Sequence, residues 1–317
     1  MPGAASVKKL AEESAVDKLN KHGKIFSETE ALLWLTGFLA ALVTAALLFS
    51  LSGGGSYSLK YFWSNDTDIP SERITLNFSP AHIFWFASIP VFAAAALAAY
   101  RRKSAPERKS ILQTLAAVML LSEIAVRIWQ AVIGHYTLRN TLPLHLCSIS
   151  IFIEFLAVFR EKDSLLKEFS YSLSMPAALA AIITPGWRFP FVSFSYLQSV
   201  AAHSLLVLIP VLIVWGDGFR PDFRRLPKCF LLLLFLAGAA GTANALFGAN
   251  YMFLAYVPKD TALQVFERWF GHPGYIFLEA GLIFIIWAIL YLPWITAERK
   301  RKRSSASENT VKGNTKL

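Results

Sequence analysis

Residues 195–215 read SYLQSVAAHSLLVLIPVLIVW, 21 residues without one Asp, Glu, Lys or Arg. A helix needs about 20 consecutive apolar residues to cross a bilayer, and this run supplies them. A helix on the surface of a soluble protein keeps a charged face toward water; this one has none. Seven comparable runs flank it, over roughly 29–51, 77–99, 110–134, 142–159, 168–184, 228–247 and 273–296. The composition agrees: of 317 residues, 55% are hydrophobic and only 16% charged, with a mean hydropathy of +0.46, where a soluble domain carries about 25% charged residues. An ordinary soluble enzyme, a disordered chain and a collagen-like repeat are excluded. The expected fold class is all-α: a polytopic transmembrane helix bundle of eight spans.

Charge placement sets the expected topology. The net charge is +10, but it does not mark a nucleic-acid binder, because most of it flanks apolar runs. Of 31 Lys and Arg residues, 24 fall in alternate inter-run segments, 6 in the others, and Arg127 lies inside a run. Cytoplasmic segments are the Lys/Arg-rich ones, so both termini are expected in the cytoplasm, with anionic lipid as the partner of that face. The chain then divides into a cytoplasmic N-terminal segment (1–28), an extra transmembrane helix with its external loop (29–76), a membrane core (77–296) and a basic, disordered cytoplasmic tail (297–317). The polar start is expected to precede an anchor rather than to be a cleaved signal. The two cysteines, Cys147 and Cys229, offer no disulfide framework.

Ionisable and amide groups inside a membrane are costly and face the bundle interior. With this topology, His82, Glu123, Arg127, His145, Cys147, Gln198, His203, Asn244, Asn250 and Tyr251 all fall in the extracytoplasmic half. Glu123 and Arg127, spaced i,i+4, share a helix face and are expected to pair. One polar cavity open to the outer side accounts for this grouping. Glu154, nearer mid-helix, falls outside it and is given no role. The bland readings stand beside this one: Glu123–Arg127 as a structural ion pair, Asn244 and Asn250 as interhelical glue.

Cys147 carries the sharpest chemistry. Pro143 suits the first turn of a helix, which puts Cys147 near the positive helix end, where a thiolate is favoured. A thiolate with an imidazole nearby is a strong nucleophile. Within a regular helix His145 lies about 200° round from Cys147, so His203 is the better base. A metal site built from His82, His145, His203 and Cys147 fits known zinc spacings loosely, and neither metal nor cofactor is expected. Cys229, at the other end of its helix, is read as a bystander.

Leu142-Pro143-Leu144-His145-Leu146-Cys147 resembles the LPLHLC signature of the YwaF-like integral membrane proteins, a group similar to the transmembrane protein 164 acyltransferases. Phe78-Ser79-Pro80-Ala81-His82, Glu123 with Arg127, Gln198 with His203, and Asn250-Tyr251-Met252-Phe253-Leu254 agree in order. The likeness covers about residues 77–296, a seven-helix core, and leaves out the first run and both tails. It implies a cysteine acyltransferase with membrane phospholipid as substrate, Cys147 carrying the acyl group as a thioester and His203 acting as base. Asn250, or backbone N–H groups at the start of the Cys147 helix, are expected as oxyanion donors, with His145, Glu123, Arg127, Tyr251, His82 and Gln198 in binding or supporting roles. Two alternatives stay open: a small-solute binding or transport protein with an outer-facing polar cavity, and a structural membrane protein without catalysis. The plasma membrane is the expected location.

Overall fold

The computed structural model describes residues 28–37, 40, 61–65, 68–69, 77–184, 193–258, 261 and 263–314. Most of the first expected span, and all of the N-terminal segment 1–28 but its last residue, lie outside these residues. Among the described residues the chain is helical and has no strand.

Helix α1 (Pro80–Tyr100) starts where Ser79 caps the N–H of His82 and Pro80 occupies the first turn. Both features suit a helix start, since the first N–H groups have no intrahelical partner. Helix α2 (Ala105–Val132) opens with a capping box between Ser104 and Glu107. Helix α3 is Leu146–Phe159. The next apolar run forms one rod in three parts: α4 (Ser164–Phe169), a π-helical turn (Ser170–Ser174) and α5 (Met175–Ile183). Helix α6 (Phe194–Val211) ends in a second π turn, Leu212–Gly216. Helix α7 (Leu226–Phe247) stops at Gly248, whose φ of +60° gives the left-handed cap that glycine adopts at least cost. Helix α8 (Leu263–Asn314) is interrupted at Gly271 and His272, and Pro273 restarts it where the sequence predicts the last span. Its backbone stays helical to Asn314, where the sequence suggests an irregular tail from 297.

Among the described residues, five helical stretches are long and apolar enough to cross a membrane: His82–Tyr100, Ala105–Val132, Phe194–Gly216, Phe223–Phe247 and Leu263–Arg301. Leu146–Phe159 is a shorter apolar helix. Helix α6 is the axis of the bundle, for Val200, Leu205, Leu206, Leu208 and Ile209 are all buried. Helices α2, α3 and α6 pack against one another, and α1 and α5 pack on α6. Facing outward instead are Leu231, Leu234 and Phe235 on α7, and Phe277, Phe284, Ile285 and Ile289 on α8. Apolar side chains around the rim of a bundle whose centre is also apolar are what lipid, not water, selects.

Paired charges gather at one end. Tyr100 donates to Asp217 at 3.0 Å, and the Arg108 guanidinium lies 3.5 Å from the same carboxylate. Lys109 meets Glu161 at 2.6 Å. Glu168, fully buried, accepts from the Arg225 guanidinium at 2.9 Å, from the Asp222 N–H and from the Tyr291 hydroxyl. Gly216 lets the buried Tyr100 ring reach Asp217, since a Cβ there would stand 2.6 Å from the ring. The residues singled out for chemistry sit toward the opposite ends of these helices.

Candidate functional site

The start of α3 is set by a turn rather than by Pro143. The Leu144 N–H donates to the Leu142 carbonyl at 2.8 Å around Pro143, and the helix begins only at Leu146, with His145 as its extended N-cap (φ −71°, ψ 148°). Two expectations are corrected. Pro143 is not in the first helical turn, and His145 is not in the helix, so the 200° separation does not apply to it. The His145 ring instead packs at 5.4 Å against both Tyr251 and Phe253.

Tyr251 holds this turn in place. Its hydroxyl donates to the Leu138 carbonyl at 2.8 Å and accepts from the Leu142 N–H at 2.9 Å. Its own backbone is clasped by Asn244 of α7: the Tyr251 N–H donates to Oδ1 at 2.6 Å and its carbonyl accepts from Nδ2 at 3.0 Å. Burial pushes the phenol above its ordinary pKa, so it remains a donor. Met252 and Phe253 take left-handed backbone (φ +53° and +56°), which costs non-glycine residues roughly 1–3 kcal/mol each. The Tyr275 hydroxyl, donating to the Phe253 carbonyl, helps hold that strained turn.

Asn250 corrects another expectation. Its side-chain oxygen accepts from the N–H groups of Ala255 and Tyr256, at 3.0 and 3.1 Å, and its amide donates to the Tyr256 carbonyl at 2.8 Å. The side chain closes the 250–256 loop, an occupation that does not suit an oxyanion donor. His82 is likewise committed. Its Nδ1 accepts from the Phe78 N–H at 2.8 Å, so Nε2 carries the proton and donates to the Ile182 carbonyl, also at 2.8 Å. That histidine ties the start of α1 to the end of α5.

Cys147 is the second residue of α3 and half-buried. Backbone N–H groups in a first helical turn lack intrahelical acceptors and carry partial positive charge, so the thiol lies among ready donors. Across from it on α2, Glu123 and Arg127 form the ion pair that their spacing predicts. Arg127 also donates to Gln130 at 3.1 Å and, across to α3, to the Ser148 hydroxyl at 3.3 Å. Ser148, next to the cysteine, is a contact that sequence reasoning missed; adjacency to Cys147 was its only signal.

His203 is half-buried on α6, and its Nδ1 lies 2.7 Å from the Ser199 carbonyl. A carbonyl only accepts, so Nδ1 carries the proton and the basic lone pair belongs to Nε2. The Glu123 carboxylate acts electrostatically on both Cys147 and His203, consistent with the mutual packing of α2, α3 and α6. Gln198 is half-buried one and a half turns earlier on α6. Cys229 is buried at the opposite end of the bundle, within electrostatic reach of Glu168 and Arg225. Among the described residues, no three His, Cys, Asp or Glu side chains converge as metal ligands do.

No curated protein and no solved structure matches the chain. A family model does, over residues 77–291, from just before α1 through most of α8. That stretch contains every residue of the site described above, and with its apolar helices it identifies the chain as an integral, multi-pass membrane protein that belongs to the TMEM164 family.

Proposed function

We propose that the protein is a cysteine-dependent phospholipid acyltransferase, or lipid acyl hydrolase, working through an acyl thioester on Cys147. The observation that carries this reading is the His203 ring, fixed by Ser199 in the tautomer whose Nε2 is basic, on a helix packed against the one that presents Cys147. His203 Nε2 takes the thiol proton as Sγ attacks the ester carbonyl of a phospholipid. The tetrahedral oxyanion is met by N–H groups at the start of α3. Collapse breaks the acyl C–O bond, and the departing lysophospholipid oxygen takes the proton back from His203. In the second half, the hydroxyl of a lysophospholipid, or water, attacks the thioester; His203 removes its proton and returns it to Sγ.

Arg127 is paired with Glu123 on the helix facing the nucleophile. Its bond to Ser148 steadies the turn that carries the nucleophile. The 24-to-6 charge asymmetry supports an orientation with both termini in the cytoplasm and anionic lipid along that face, in a membrane we take to be the plasma membrane. The catalytic end of the bundle then opens to the outer leaflet.

The test is intact-protein mass spectrometry of detergent-purified protein incubated with mixed phospholipids, beside Cys147→Ala and His203→Ala. A hydroxylamine-labile fatty-acyl mass on the wild type, absent from Cys147→Ala and slow to form on His203→Ala, is expected. No adduct, together with a thiol inert to alkylation, would overturn the reading.

A further inference from the structure

The polar character of the site does not end at Cys147. Ser150 and Glu154 lie three and seven residues further along α3, which brings both within about 60° of the same helix face. Each is completely buried, and among the described residues neither the Ser150 hydroxyl nor either oxygen of the Glu154 carboxyl has a hydrogen-bond partner. Buried polar groups are almost always partnered, so three orphaned oxygens on one face ask for a reason. Side chains on a helix lean toward its N-terminus. Glu154 therefore leans back toward Cys147. The π turn Ser170–Ser174 packs on this helix, and π turns are frequent at functional sites.

We infer that Ser150 and Glu154 are an inward extension of the Cys147 site that receives an acyl chain bearing a mid-chain hydroxyl. This rests on the acyl-cysteine reading above. A chain joined to Sγ and running along α3 passes Ser150 after one turn and Glu154 after two, about 10 Å further in. Phosphate and headgroup do not reach the middle of an apolar helix; only the tail does. A plain hydrocarbon tail would leave all three oxygens dry. A hydroxyl partners two of the three, donating to one Glu154 oxygen and accepting from the Ser150 hydroxyl. A site built to hydrogen-bond a hydroxyl discriminates strongly against the analogue that lacks it.

The experiment is native mass spectrometry of the full-length protein in detergent, with two phosphatidylcholines competing for retention. One carries stearoyl chains and the other the same chains with a mid-chain hydroxyl. The wild type is expected to retain the hydroxylated lipid about tenfold better. Glu154→Leu and Ser150→Ala should each bring the ratio close to one, while Glu154→Gln, which still accepts, should keep part of it. Equal retention by the wild type, or a preference that survives Glu154→Leu, overturns the proposal. The wild-type comparison decides even if a variant fails to fold. The same spectra report the acyl mass on Cys147: hydroxyl preference without an adduct sinks the thioester chemistry alone, and an adduct without preference sinks the hydroxyl seat alone.

Discussion

Replacing Arg127 with Met should be far more damaging than replacing Arg127 and Glu123 together. The Glu123 side chain is only 6% exposed and that of Arg127 23%, so solvent screens the pair weakly. Two unit charges about 4 Å apart attract by about 4 kcal/mol at an effective dielectric near 20. Arg127→Met removes that attraction and leaves a carboxylate buried without its cation, a loss of about 3–5 kcal/mol. Ser148 and Gln130 lose a donor as well, at 3.3 and 3.1 Å, for roughly 1 kcal/mol more. Glu123→Gln with Arg127→Met leaves no buried charge and should cost about 1–2 kcal/mol, because a buried pair replaced as a whole is often close to neutral. The assay is reversible denaturant unfolding in mild detergent for the wild type, both single variants and the double variant. A coupling energy of about 2 kcal/mol or more is expected. Single losses that merely add in the double variant would refute the account of this pair as a buried, mutually compensating unit.

Tyr251→Phe deletes one hydroxyl that bonds Leu138 and Leu142 and should cost about 1–3 kcal/mol. It should also raise protease cleavage between residues 137 and 145, where a purely local core effect would not. His82→Ala unties α1 from α5 by removing both ring bonds, and should lower the thermal midpoint without altering alkylation of Cys147. Gly216→Ala forces the Tyr100 ring aside, and an overpacked core site loses about 1–3 kcal/mol. Because Tyr100→Leu removes the clashing ring but also the 3.0 Å bond to Asp217, the double variant should be less destabilised than the sum of the two single variants, a coupling readable in the same unfolding assay.

The helix pattern was legible because lipid imposes it: runs such as 195–215 admit no other reading, and the i,i+4 spacing of Glu123 and Arg127 is a local fact that survives folding. Tyr251 was recognisable as a motif residue, but its partners at 138 and 142 lie more than a hundred positions away, and no periodicity carries such a distance. Pro143 misled for a related reason. Proline is compatible with the first turn of a helix, yet the turn around it is fixed by Tyr251. Asn250 and His82 looked available because their types are chemically able, whereas their occupation by backbone partners exists only in three dimensions. Glu154 is the converse, since nothing along the chain signals that a carboxylic acid will be left without company.

The π turn at Ser170–Ser174 also bears on how the chain tolerates length change. Such a turn accommodates one residue more than a regular helix needs, and every side chain beyond it is swung by about 100° relative to the residues before it. The carbonyl of Ile182, which His82 grips, lies beyond that swing. Deleting one residue between 170 and 174 removes the surplus and the swing together, so the rod reverts to an unbroken α-helix while Ile182 and the face of α5 that meets α6 keep their facing. A one-residue deletion beyond the turn, between 175 and 181, has no surplus to remove and would rotate Ile182 by about 100° away from its histidine.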